Sequence, residues 1–150
     1  MKKYLIILFV AFMAGCSSNQ NVTKPDDKGL TAREMIEKNT FLDLSEDELY
    51  PKTRSAAVSR MVSPTFRAAC YRFYKAVTLD ENGIATCNAR KGADLNMSEA
   101  LFDDYMSDME KLNEMIRKDL EKGIKGKRSP LSDAYFERLL DETQFKIADK

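Results

Sequence analysis

The chain has 150 residues, with 24 basic and 24 acidic side chains, no histidine and no tryptophan. Balanced charge gives no bulk electrostatic reason to bind nucleic acid. The missing histidine excludes Ser-His-Asp and Cys-His nucleophiles, removes the commonest general base and rules out most zinc-site designs.

Lys2 and Lys3 open the chain, and Tyr4 to Ala14 follows as eleven uninterrupted apolar residues. A membrane-crossing helix needs about 20, so this run has the length of a signal-peptide core. Small Ala14 and Gly15 then lead into Cys16. Residues 1–16 resemble bacterial lipoprotein precursors, whose lipobox reads Leu-(Ala/Ser)-(Gly/Ala)-Cys. Met13-Ala14-Gly15-Cys16 departs from that pattern only in carrying Met for Leu.

The resemblance implies that residues 1–15 are a signal peptide removed on maturation. It also implies that Cys16 becomes the first residue, with a diacylglyceryl group on its thiol and a further acyl chain, such as palmitate, on its amine. Two or more chains anchor a protein stably, whereas one holds it only marginally. The implied partner is therefore the lipid bilayer itself. Ser17 stands where Asp favours inner-membrane retention in enterobacterial lipoproteins, which implies the outer membrane. Ser18-Asn19-Gln20 lacks the acidic run of some surface-exported lipoproteins, which implies the periplasmic face.

Without residues 1–15 there remain 135 residues, enough for one compact domain and a tail. Loss of Lys2 and Lys3 leaves 22 basic against 24 acidic side chains, a formal charge of −2. Ser17 to Gly29 is polar and cannot bury enough apolar surface to order itself. With Cys16 it reads as a lipidated, flexible tether over 16–29, reaching roughly 20 Å by random-coil scaling. Residues 30–150 are then the folded part, expected to be mainly α, with about four helices and one short β-hairpin.

Thr31-Ala-Arg-Glu34 is a capping box, with Met35 and Ile36 as the apolar side of a short helix. Ser45 offers a second cap, but Pro51 limits that helix to about one turn. Lys52 to Val62 has apolar residues at helical spacing. Ser63-Pro64 then restarts a helix whose stripe is Phe66, Ala69, Cys70, Phe73 and Val77. Tyr71 and Tyr74 lie nearer its edges and are the better candidates for exposed contacts.

Val77 to Cys87 reads as a hairpin turning at Asn82-Gly83. A calcium loop here fails on spacing, because a glycine in the sixth position at Gly83 would place Thr78 and Ala89 at the ends. Cys70 and Cys87 are an even pair in a compartment expected to be oxidising. They are expected to form a disulfide that staples the hairpin to the helix before it. Asn88 to Asn96 reads as a loop.

Ser98 begins the longest helix, running to about Lys122 and stopped by Gly123. Asp103 and Asp104 point about 100° apart and serve as dipole partners rather than as an acid–base pair. The apolar residues of this helix, including Tyr105, Met106, Met109, Leu112, Met115, Ile116 and Leu120, spread over roughly 180°. A surface helix usually has a narrower stripe of about 100°. The helix is therefore either packed on two sides or leaves an open, Met-rich groove. Lys125, Lys127 and Arg128 extend a basic cluster past its end. Ser129-Pro130 repeats the earlier cap and opens a final helix with Leu131, Tyr135 and Leu139 as its stripe.

These features fit a non-enzymatic envelope interaction or assembly factor without cofactor or metal, similar to pilotins in plan only. Its candidate contact residues for an envelope protein are Tyr105, Met106, Met109, Lys125, Lys127 and Arg128. The alternative reading is an inhibitor or immunity protein for an exported toxin or hydrolase, binding through loops such as Asn88–Asn96.

Overall fold

The computed structural model describes residues 29–125 and 131–145. Cys16, the tether up to residue 28, Lys127, Arg128, Ser129-Pro130 and Ile147 lie outside them. Six helices and one hairpin follow in order: α1 (Ala32–Glu37), α2 (Glu46–Leu49), α3 (Arg54–Val62), α4 (Pro64–Lys75), β1 (Val77–Leu79), β2 (Ala85–Cys87), α5 (Glu99–Glu121) and α6 (Asp133–Leu140). Single 3-10 turns lie at Gly92–Leu95 and Glu142–Gln144. The protein is mainly helical, as the periodicity predicts.

The helix starts follow the cap chemistry. Thr31 and Ser45 each form the reciprocal box with the glutamate three residues on. The Ser63 hydroxyl accepts the Phe66 N–H, with Pro64 at the first helical position, and Ser98 does the same for Leu101. The last helix departs from expectation. Ser132, rather than Ser129, caps it by accepting the Tyr135 N–H at 3.2 Å. Asp133 at the first helical position complements the dipole. Leu131 and Phe136 then take the two positions of a hydrophobic staple.

The central helix is α4. Phe66, Arg67, Ala68, Ala69 and Cys70 are all buried in succession, so this helix is covered on nearly every side. It packs against α1, α3 and α6. Toward α5 it presents rings: Phe73 stacks on Tyr105 at 5.1 Å and meets Phe102 edge-on at 6.0 Å. The Tyr105 hydroxyl donates to the Phe66 carbonyl at 3.0 Å, which satisfies its one polar atom in the core. Tyr71 and Tyr74 are half-buried rather than exposed. Tyr71 meets Phe136 edge-on, and Tyr74 packs against Phe73 and Tyr105.

The expected Cys70–Cys87 disulfide is absent, and both residues are free thiols. The helix turns Cys70 into the core, where its sulfur lies 3.7 Å from the Tyr135 hydroxyl of α6. Cys87 instead sits on β2 opposite Val77. Burial pushes the Cys70 thiol up to about 12 and also raises Cys87, so neither is an activated thiolate. Maleimide labelling of the native protein should therefore leave Cys70 unmodified and reach Cys87 slowly, with both labelled after denaturation. An intact mass 2 Da below the dithiol value, the loss of two hydrogens on oxidation, would contradict this arrangement.

Three arginines do the tying that the disulfide was expected to do. Short helices leave their last carbonyls without partners, and each arginine supplies donors to such an end. Arg60 donates to Leu49 C=O, the last residue of α2, at 2.7 Å, and pairs with Asp104 of α5. Arg67 donates to Val62 C=O at the end of α3 and to Leu139 C=O near the end of α6, both at 3.1 Å. Its third donor meets Glu142 Oε2 at 2.7 Å. Arg72 reaches Met35 C=O of α1, Thr40 C=O and Asn96 C=O at 2.7–3.0 Å. Burial lowers the Arg72 pKa from its ordinary value, since its hydrogen-bond partners are carbonyls rather than carboxylates.

The segment before α5 is held by close backbone contact. Leu42 N–H donates to Asn96 C=O, and Ser98 N–H donates to Leu42 C=O, which forms a parallel bridge between Leu42 and Met97. Gly92 lies under this junction, where a Cβ would approach Met97 O to 2.5 Å. Only glycine fits there.

Candidate functional site

The wide apolar face of α5 divides into an inner and an outer part. Leu101, Phe102, Tyr105, Met109 and Ile116 are buried. Tyr105 and Met109, read from the sequence as partner contacts, are core residues and offer no surface. Met106 is half-buried and packs against the same core. The inner part of the face is thus filled by α4 and the hairpin rather than left as a groove.

Asn113 lies in the middle of this buried stripe and is 2% exposed. Its side-chain amide faces the free edge of the hairpin. The strands pair Leu79 with Ala85 and Thr78 with Thr86, and Asp80 N–H donates to Ile84 C=O. In that alternation the Ala85 N–H and C=O point away from β1. Asn113 takes both: Oδ1 accepts from Ala85 N–H at 2.8 Å, and Nδ2 donates to Ala85 C=O at 2.9 Å. One amide therefore substitutes for a third strand and closes the edge. The signal was a polar residue four after Met109 and three before Ile116, both of them buried.

The hairpin turn is longer than Asn82-Gly83 alone. Asp80 to Ile84 forms the loop, with Gly83 N–H donating to Asp80 C=O and Gly83 at φ 80°. Asp80 Oδ1 accepts from the N–H groups of Asn82 and Ile84 at 2.8 and 2.9 Å. That oxygen is committed to the turn. Among the described residues no group of three or more Cys, Asp or Glu is arranged to hold a metal ion. Of the adjacent acids on α5, Asp103 is exposed and Asp104 is engaged by Arg60, so they do not converge on one proton.

Beyond Asn113 the character of α5 changes. Met115 is 41% exposed, and Leu112 and Leu120 are half-buried. Glu110 pairs with Arg117 at 2.6 Å, a contact that lowers the carboxylate's pKa, and Asp108 pairs with Lys111 at 3.0 Å. Lys118, Lys122 and Lys125 are exposed and make no ion pair among the described residues. Lys127 and Arg128, the other two members of the basic cluster, fall outside that range.

Two exposed aromatic side chains were missed by sequence reasoning. Phe41 and Tyr50 are 57% and 60% exposed, the first beside the Leu42–Met97 bridge and the second at the end of α2. Their neighbours Leu42, Leu44 and Leu49 are all buried. No helix among the described residues is long and apolar enough to cross a membrane. No family model, curated protein or solved structure matches the chain.

Proposed function

We propose that this chain is a lipid-anchored, non-enzymatic binding protein of the bacterial cell envelope. It would be held through acylated Cys16 at the periplasmic face of the outer membrane and help to assemble or position another envelope protein. The observation that carries this reading is the leader itself: two lysines, eleven apolar residues, then Met13-Ala14-Gly15-Cys16. The folded part adds exposed aromatic side chains to that reading. With Tyr105 and Met109 turned inward, contact has to come from the outer surface, and Phe41 and Tyr50 present the most exposed aromatic area there. Exposed aromatics are common anchors of protein interfaces.

A photoreactive residue in place of Phe41 or Tyr50, irradiated in cells, should give one discrete adduct identifiable by mass spectrometry. An adduct with a soluble hydrolase that loses activity in the complex would turn the assembly role into an inhibitory one. No adduct from either position would count against a stable complex through these side chains.

A further inference from the structure

The end of α5 is a fixed structure that presents an uncovered aliphatic side chain among lysines. Gly123 N–H donates to Leu120 C=O and Ile124 N–H to Asp119 C=O, both at 2.9 Å, with Gly123 at φ 73°. This is the Schellman ending, in which the residue at the Ile124 position commonly packs back on an apolar residue one turn earlier. Here Asp119 occupies that earlier position, and Ile124 is 44% exposed. Met115, Lys118 and Lys122 precede it at i, i+3 and i+7, on one exposed stripe, and Lys125 follows it.

Acids flank this stripe. Glu114 and Glu121 lie about 100–120° around the helix from Met115, but they stand four residues before and three after Lys118, on the adjoining face, and no ion pair joins them to it among the described residues. Glu110 is taken by Arg117, and Asp119 turns one carboxylate oxygen, Oδ2, into a buried position. What remains is a narrow stripe of exposed lysines, bordered by acids, that ends on an aliphatic tip.

We infer that this end of α5 docks on an anionic lipid surface, with Ile124 entering the headgroup boundary and Lys118, Lys122 and Lys125 facing lipid phosphates. A protein partner would require a broad, shaped patch burying several hundred Å² on each side. One isoleucine and one methionine among flexible lysines do not provide it. A bilayer requires no shape complementarity, and it attracts basic clusters next to an apolar insertion. The use of this contact in the cell rests on the lipid-anchor reading. A tether of 13 residues, Ser17 to Gly29, would hold the domain beside the bilayer and let a weak contact be occupied.

The absence of tryptophan makes the test direct, because a single introduced indole is then the sole such reporter. The full lipidated chain carrying Ile124→Trp is reconstituted on phosphatidylcholine vesicles, with and without phosphatidylglycerol, and with brominated acyl chains as quencher. On the anionic vesicles its indole emission should shift to the blue and lose most of its intensity to the quencher. High salt, or Lys118→Gln, Lys122→Gln and Lys125→Gln together, should abolish both effects. A chain carrying Tyr50→Trp instead should stay unquenched on either vesicle.

Equal indole emission from the Ile124→Trp chain on both vesicles, or equal quenching of the Tyr50→Trp chain, would overturn the proposal. Flotation of the wild-type chain on phosphatidylcholine alone reports the acyl anchor separately. Failure there, with the Ile124→Trp chain still quenched on anionic vesicles, would remove the anchor and leave the contact standing.

Discussion

Replacing Arg67 by Met should cost the domain about 3–5 kcal/mol of stability, the usual effect of breaking a buried ion pair. That is a large fraction of the roughly 5–15 kcal/mol that holds a domain together. Arg67 is 1% exposed and joins four elements at once. Its removal leaves the carbonyls of Val62 and Leu139 without these donors and frees Glu142 Oε2. The other Glu142 oxygen accepts from Ala32 N–H at 3.0 Å, so the start of α1 should loosen with it. Phe145, whose ring lies 4.2 Å from the guanidinium carbon, also loses its cover.

Arg67→Lys distinguishes the planar fork from the charge alone. A lysine is a point charge and cannot reach three acceptors in three directions, so it should recover less than half of the loss in urea titrations. Full recovery by lysine would mean that the capping geometry is unimportant.

Asn113→Leu should be the second most damaging change, at about 2–4 kcal/mol, because two buried backbone groups of Ala85 lose their partner. Leucine matches asparagine closely in shape, so packing is nearly kept and the polar loss is isolated. Asn113→Asp should be worse. One carboxylate oxygen still accepts from Ala85 N–H, but the other then faces Ala85 C=O, and a charge is buried. Amide exchange reads the effect locally: the Ala85 N–H should become unprotected in the leucine variant while the amides of α4 stay slow. An Ala85 amide as protected as in the wild type would show that Asn113 does not close the hairpin edge.

These two residues also mark what the sequence could and could not convey. Caps are local, so Thr31, Ser45, Ser63-Pro64 and Ser98 were legible, and so was the stop at Gly123. The stripe Phe66, Ala69, Cys70 and Phe73 was legible because burial repeats with the helix period. The targets of Arg60, Arg67 and Arg72 were not. A charged side chain carries no periodic signal, and the carbonyls they meet are up to 72 residues distant, as Leu139 is from Arg67.

The cysteine pair misled for a related reason. Compartment and even count make a bridge plausible, but side-chain direction decides it, and α4 aims Cys70 at Tyr135. The wide face of α5 was ambiguous for the opposite reason. Its width showed packing beyond one stripe without showing that α4 and the hairpin fill the inner part. The hairpin's hold on Asn113 needed the strand alternation, which only the folded backbone displays.

The central functional claim is the anchor, and the intact mass of the protein extracted from bacterial membranes tests it most directly. The polypeptide should begin at Cys16, with residues 1–15 gone and the mass of a diacylglyceryl group and one amine-linked acyl chain added. Cys70 and Cys87 should remain as thiols in the same molecule. A chain that begins elsewhere, or a Cys16 with an unmodified thiol, would contradict it.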